Sequence, residues 1–197
     1  MKGFVLSRHS QGTEQGLILS YWLVTDHGPV CLQQTQQEAV CFFPLSQQDD
    51  AKHIIQSMAL PSASWRFQQV ALKTFDHEAV MALYMTNQKV FQQVCGVLRE
   101  ANIVLMEQDI QPQERYLMER FISASLVVDG LPEKGTITDT RVKTCDYTPN
   151  IKAISLDIET TMDGKTIHSI AVYAMEQETP VEKVWLHWPA QMPSELL

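Results

Sequence analysis

The stretch "ISLDIETT" (residues 154–161) sets two carboxylates, Asp157 and Glu159, at the end of an otherwise apolar run. Side chains alternate between faces along an extended strand. The two acids therefore point the same way, with Cα atoms about 6.6 Å apart, while Ile158 points to the other side. Oxygen ligands arranged like this suit a hard divalent cation, and a bound Mg²⁺ or Mn²⁺ would relieve the repulsion between neighbouring carboxylates. Spacing alone does not establish such a site. Asp76 and Glu78 in "FDHEAV" have the same Asp-x-Glu spacing within a polar turn, and a solvated strand end is the default reading of either pair. Context separates the two. Around residues 157–159 an apolar strand is followed by the acids, a Thr pair, a glycine turn at "MDGK" (162–165) and a second apolar strand, "TIHSIAVYAM".

Other chemistry-bearing residues read as structural. His168, on the second strand, reads as a surface histidine and not as a third ligand. The pairs "YW" (21–22) and "FF" (42–43) read as core and cross-strand packing and not as platforms for stacked bases. Cys31, Cys41, Cys95 and Cys145 contain no C-x-x-C pair and no His at ligand spacing, so neither a zinc knuckle nor a disulfide framework is indicated.

The elements that must carry the acids follow from the rest of the chain. Its 197 residues suffice for one good-sized domain, or for a small domain plus part of another. At 45% hydrophobic and 19% charged residues, most of the chain can bury a core. A net charge of −8 and a pI near 5.2 argue against a basic nucleic-acid-binding module acting alone. Between residues 134 and 152, Lys134, Arg141, Lys143 and Lys152 outnumber Asp139 and Asp146, which reads as a solvated face. The apolar run at the N-terminus is too short for a signal peptide, and no stretch has the apolar length of a membrane helix. A cytoplasmic location with reduced thiols follows.

Residues 16–25, 28–35 and 38–45 read as strands of an antiparallel meander, with "DHGP" as a turn. Ser46 with Asp49 forms a capping-box pattern opening a helix over 47–58 that ends before Pro61. Residues 66–109 then read strand, strand, helix, strand. The helix "NQKVFQQVCGVLREAN" carries Val90, Val94, Val97, Leu98 and Ala101 on one stripe and is closed by Asn102. A helix over 109–122 opens at Pro112, with Leu117 and Phe121 on one side and Arg115 and Glu119 paired on the other. A hairpin over 125–145 closes the first unit, with a boundary near 147–150. The fold class is α+β, with small mixed or antiparallel sheets and packed helices.

With these motifs in place, the sequence resembles the family B DNA polymerases. "ISLDIETT" is similar to the first exonuclease motif of that family, Asp-Ile-Glu-Thr on the first strand of a ribonuclease H-like proofreading domain. "EQDIQPQERYLMERFI", about forty residues upstream, is similar to the segment that precedes this motif. "GFVLSRH", "LVTDHGPV", "VMALYM" and "TITDTRVK" look most like the bacterial DNA polymerase II branch. The resemblance implies a polymerase N-terminal domain over 1–147 and the start of a 3′–5′ exonuclease domain over 148–197. It implies that Asp157 and Glu159 are metal ligands, Asp157 touching both ions of a Mg²⁺ or Mn²⁺ pair and Glu159 one, with Thr160 near the terminal nucleotide. It further implies template and primer DNA, the rest of the polymerase chain and a sliding clamp as partners. The setting would be replication or repair synthesis in the bacterial cytoplasm, at the nucleoid.

The family's further exonuclease acids, one in an Asn-x-x-x-Phe-Asp motif and one following a Tyr, do not occur after residue 159, and the polymerase motifs are absent. "TFDHE" (74–78) precedes the first motif and lacks the Asn. The chain reads as an N-terminal fragment of a larger enzyme, inactive by itself, with Trp185 and Trp188 as core residues left exposed. A second reading is a stand-alone nucleic-acid- or protein-binding domain in which "DIET" is accidental. A third is a stand-alone exonuclease, which the missing carboxylates disfavour.

Overall fold

A computed structural model describes residues 1–176 and 179–187. The chain divides into two compact units, Met1–Pro149 and Asn150–Leu197.

The first unit begins with a meander of β1 (Lys2–Thr13), β2 (Gly16–Thr25) and β3 (Gly28–Gln37). The sequence had shown β2 and β3 but not β1, whose polar second half hides the alternation. The turn predicted at "DHGP" (26–29) is present one residue earlier, over 25–28: Thr25 Oγ1 donates to the Gly28 carbonyl at 2.7 Å, and the His27 amide donates to Thr25 Oγ1 at 3.1 Å. At the other end of β2, Gly16 has φ +128° and a Cβ there would lie 2.9 Å from the Gln37 carbonyl oxygen, so only glycine fits. The meander extends to a six-stranded sheet in the order β8-β3-β2-β1-β7-β9, with β7 Ser125–Val128, β8 Thr136–Thr138 and β9 Val142–Thr144. The expected hairpin over 125–145 is corrected here. β7 pairs antiparallel with β9, but β8 leaves that pair to join β3 in parallel on the far edge of the sheet.

A second sheet, β4-β6-β5, is built from β4 (Ala39–Pro44), β5 (Trp65–Lys73) and β6 (Ala79–Met85). Between β4 and β5 lies α1 (Gln48–Ser57), and after β6 comes α2 (Gln88–Glu100). No capping box forms at α1. Its N-cap is Gln47, without a side-chain cap bond, because Leu45–Gln47 winds as a 3₁₀ turn and moves Ser46 out of the cap position. α2 is capped instead, by the Asn87 side chain accepting from the Lys89 and Val90 amides. Asn102, at φ 63°, ends it as expected. The buried stripe of α2 is Phe91, Val94, Cys95 and Leu98, rotated from the predicted one, and Val97 is exposed. The single large aromatic, Phe91, decides the rotation, since it removes the most apolar surface from water.

Residues 103–110 were expected to form a strand. They form none, and touch the sheet only through one bridge in which the amides of Phe42 and Met106 donate to each other's carbonyls at 3.0 and 2.8 Å. α3 is shorter than expected, Pro112–Met118, and ends in a Schellman motif: the Phe121 amide donates to the Met118 carbonyl and the Ile122 amide to that of Leu117. The motif needs a left-handed residue, which is Phe121 at φ 55°. Leu117 is buried, but Phe121 is 87% exposed and does not join it on one apolar side.

A large core and a smaller cluster of Val40, Phe42, Val80 and Ala82 close the first unit. Tyr21, Leu32, Phe43, Ile55, Leu83, Met85 and Leu98 are fully buried between the sheets and helices. Each such side chain contributes roughly 1.5–3 kcal/mol of transfer free energy. Cys41 and Cys95 meet in this core with sulfurs 4.0 Å apart, and all four cysteines are free thiols.

The second unit is a meander of β10 (Ile154–Thr160), β11 (Ile167–Glu176) and β12 (Thr179–Leu186), paired antiparallel in the order β10-β11-β12.

Candidate functional site

Asp157 and Glu159 lie on β10, an edge strand of the second unit's sheet, where Asp157 pairs with Ala171 and Glu159 with Ser169. Cross-strand partners share a face. The acids therefore stand over small neighbours on β11, with Val184 and Leu186 beyond on β12. The opposite face is apolar. Ile154, Leu156 and Ile158 pair with Ala174, Val172 and Ile170, which pair in turn with Val181, Lys183 and Trp185. The alternation that puts both carboxylates on one side thus puts Ile154, Leu156 and Ile158 on the other.

Just past Glu159 the register breaks. Glu159 opposes Ser169 and Thr160 opposes Ile167, which leaves His168 as the extra residue of a β-bulge. Bulges bend and twist a strand, and this one redirects the chain beside the acids. His168 is exposed, as the sequence indicated, and its carbonyl accepts from the His187 amide at 2.8 Å. Thr160 Oγ1 donates to the Thr161 carbonyl at 3.1 Å. The turn that follows is held by side chains. Thr161 Oγ1 donates to Asp163 Oδ1, and Asp163 Oδ1 also accepts from the Lys165 amide at 3.2 Å, with Gly164 at φ +68°. These bonds, the Thr161 hydroxyl first, hold the Asp163 carboxyl below its ordinary range.

Every residue of β10 is exposed. Among the described residues, neither Asp157 nor Glu159 has an ion-pair partner, and no third His, Cys, Asp or Glu completes a metal-binding group with them. Two carboxylates with open coordination positions can contribute ligands to a divalent ion without enclosing it. Trp185 is 53% exposed, and Trp188 lies outside the described residues.

The first unit holds two features that sequence reasoning missed. Arg115, expected as a surface partner of Glu119, has a side chain only 11% exposed. It pairs with Glu107 at 2.8 Å and Glu119 at 4.0 Å, and its guanidinium stands 5.2 Å from the centre of the Phe42 ring. It thereby fastens the irregular segment 103–110 over the outer side of the β4-β6-β5 sheet. Nothing in the local sequence distinguishes it from an exposed i, i+4 pair. The second feature is the "YW" pair, which splits. Tyr21 is fully buried, with its hydroxyl donating to the Gln113 carbonyl at 2.9 Å, and burial raises its pKa. Trp22 points the other way and is 52% exposed. The alternation of a strand already required this, because adjacent residues cannot share a face.

Comparison with known proteins gives concordant results. A model of the N-terminal region of DNA polymerase II matches residues 3–38. DNA polymerase II of Escherichia coli (strain K12) is 40% identical over 164 residues, which is 83% of this chain and 20% of that protein. The chain thus spans about one fifth of the length of this curated relative. A solved family B DNA polymerase from the hyperthermophilic archaeon Pyrobaculum calidifontis shares the fold, with a TM-score of 0.70 at 14% identity, over 94% of this chain and 26% of that one.

Proposed function

From the match of this chain to the N-terminal part of a family B DNA polymerase of the DNA polymerase II kind, we propose that it forms the opening part of a DNA-directed DNA polymerase with a 3′–5′ proofreading exonuclease. Residues 1–147 are the polymerase N-terminal domain and 148–197 begin the exonuclease domain. The partners are primer–template DNA and the remainder of the polymerase, working in replication or repair synthesis, with a sliding clamp as a further partner. No helix among the described residues is long and apolar enough to cross a membrane.

The observation that carries this reading is the placement of Asp157 and Glu159 on one face of an apolar edge strand, beside a bulge. A match of 164 residues within a chain of 197 spans both acids wherever it begins. In two-metal hydrolysis, divalent ions activate the attacking water and stabilise the leaving 3′ oxygen. The part of this chain is to hold two oxygen ligands at a fixed separation and to present Thr160, at the bulge, toward the terminal nucleotide. The fit of hard carboxylate oxygens to Mg²⁺ or Mn²⁺ is good, and the pair is incomplete by itself. By itself the chain is therefore inactive as an exonuclease and as a polymerase.

The test is made in the chain extended to the length of its bacterial relative. Asp157→Ala and Glu159→Ala should abolish degradation of a labelled single-stranded oligonucleotide while primer extension persists. Degradation undiminished in both variants would refute the assignment of the acids. Absence of primer extension in the unmutated protein would refute the polymerase reading itself.

A further inference from the structure

Thr161, the second member of the Thr pair, does more than begin the turn after the two acids. Facing residues of an antiparallel ladder ordinarily exchange two backbone hydrogen bonds. Thr161 and Thr166 exchange one, from the Thr161 amide to the Thr166 carbonyl at 2.9 Å. In the return direction the Thr166 amide donates to the Thr161 hydroxyl at 3.1 Å, so a side-chain oxygen stands in for the carbonyl. That carbonyl is thereby released to accept from the Gly164 amide at 2.8 Å, closing the turn, and from the Thr160 hydroxyl at 3.1 Å. The single proton of the Thr161 hydroxyl goes to Asp163 Oδ1, which also accepts from the Lys165 amide at 3.2 Å. One hydroxyl thus joins both strands of the hairpin to a residue of its turn.

The bulge gives this clasp its importance. In the regular register that runs from Ile154 to Glu159, Thr160 would face His168 and Thr161 would face Ile167. The clasp instead closes the hairpin at Thr161 and Thr166, which sets Thr160 opposite Ile167 and leaves His168 over. A one-residue slip in pairing turns side chains to the other face of a sheet, so the register at this point decides how β11 lies beside Glu159 and Thr160. β10 is an edge strand with every residue exposed. Among the described residues its end is therefore held by the ladder and the clasp and not by packing.

We propose that Thr161, acting through Asp163, is the positioning residue of the two-acid site. Its hydroxyl holds the bulged register, and the register fixes Glu159 and Thr160 in the arrangement that hydrolysis uses. The proposal rests on the reading of Asp157 and Glu159 as metal ligands and names what orients their strand. Valine has the shape of threonine without the hydroxyl. In Thr161→Val the Thr166 amide must compete with Gly164 and Thr160 for the Thr161 carbonyl, and the unbulged register becomes available. Serine keeps the hydroxyl and therefore the clasp.

The experiment is made in the chain extended to the length of its bacterial relative, with degradation of a labelled single-stranded oligonucleotide and primer extension measured side by side. Thr161→Val should lower kcat for degradation roughly 10- to 100-fold, the cost of displacing reacting groups by about 1 Å or less, with KM for the oligonucleotide little changed. Asp163→Ala should lower it by less, and Thr161→Ser should retain most of the unmutated rate. Primer extension should persist in all three. Degradation by Thr161→Val at the unmutated rate overturns the proposal. A rate in Thr161→Ser as low as in Thr161→Val also overturns it, and so does a loss of primer extension in proportion to degradation, which is what a general folding defect would give. Asp157→Ala separates the proposal from the reading beneath it. If Asp157→Ala is inactive while Thr161→Val degrades at full rate, the clasp alone falls. If Asp157→Ala degrades as the unmutated protein does, the assignment of the acids falls and the clasp with it.

Discussion

The two units pair their strands equally well and pack them very differently. In the first, Leu32, Leu83 and Phe43 are fully buried between two sheets and three helices. In the second, Ile154, Leu156 and Ile158 keep 69%, 58% and 46% of their surface, although their backbone ladder is complete and regular as far as the bulge. Hydrogen bonds exchanged with water contribute little net stability, whereas buried apolar surface contributes most of it. Among the described residues, a three-stranded sheet whose apolar side chains stay this exposed gains little stability from burial. The residues that would carry chemistry lie on this weaker unit, and the well-packed unit holds the exposed Trp22 face.

The comparison is broken most directly by deleting side chains on both sides of it. Phe43→Ala should cost about 3–5 kcal/mol, read from the denaturant midpoint of the first unit. Leu156→Ala should change unfolding by less than about 0.5 kcal/mol, since more than half of its surface is already in water. A large loss from Leu156→Ala would mean that a layer covers the second sheet in solution. A smaller effect, of opposite sign, is predicted at Phe121. Its left-handed backbone suits glycine, and the exposed ring packs little, so Phe121→Gly should stabilise the first unit by roughly 0.5–1 kcal/mol in the same titration. A loss of stability would show that the ring is covered.

The smallest effect concerns pH in the turn beside the acids. Asp163 is more acidic folded than unfolded, so it favours the turn above the unfolded pKa, and that contribution is lost as pH falls through the folded value. The Lys165 amide, which donates to it, should exchange faster with solvent once that carboxyl is protonated, and Asp163→Asn should remove the pH dependence.

The local pattern made much of this legible. The alternation of β2, β3, β10 and β11, the glycine turns and the closure of α2 by Asn102 all depend on near neighbours in sequence. The errors came where distant parts decide. Residues 103–110 have the composition of a strand, but Arg115 and a single bridge to Phe42 hold them as an irregular cover. β8 left its sequence neighbours because the edge of β3 was available. Ser46 had the right spacing for a cap but was drawn into a 3₁₀ turn. For the candidate site, the shared face of Asp157 and Glu159 follows from period two alone, while the bulge at His168 required the register of the opposite strand.

The most direct test of the central claim, that Asp157 and Glu159 are ligands of an exonuclease site this chain does not complete, is incubation of the 197-residue chain with a labelled single-stranded oligonucleotide and Mn²⁺. The account predicts no metal-dependent degradation from the 3′ end. Degradation that requires Mn²⁺ and vanishes in Asp157→Ala would contradict it, because two carboxylates would then suffice for the chemistry.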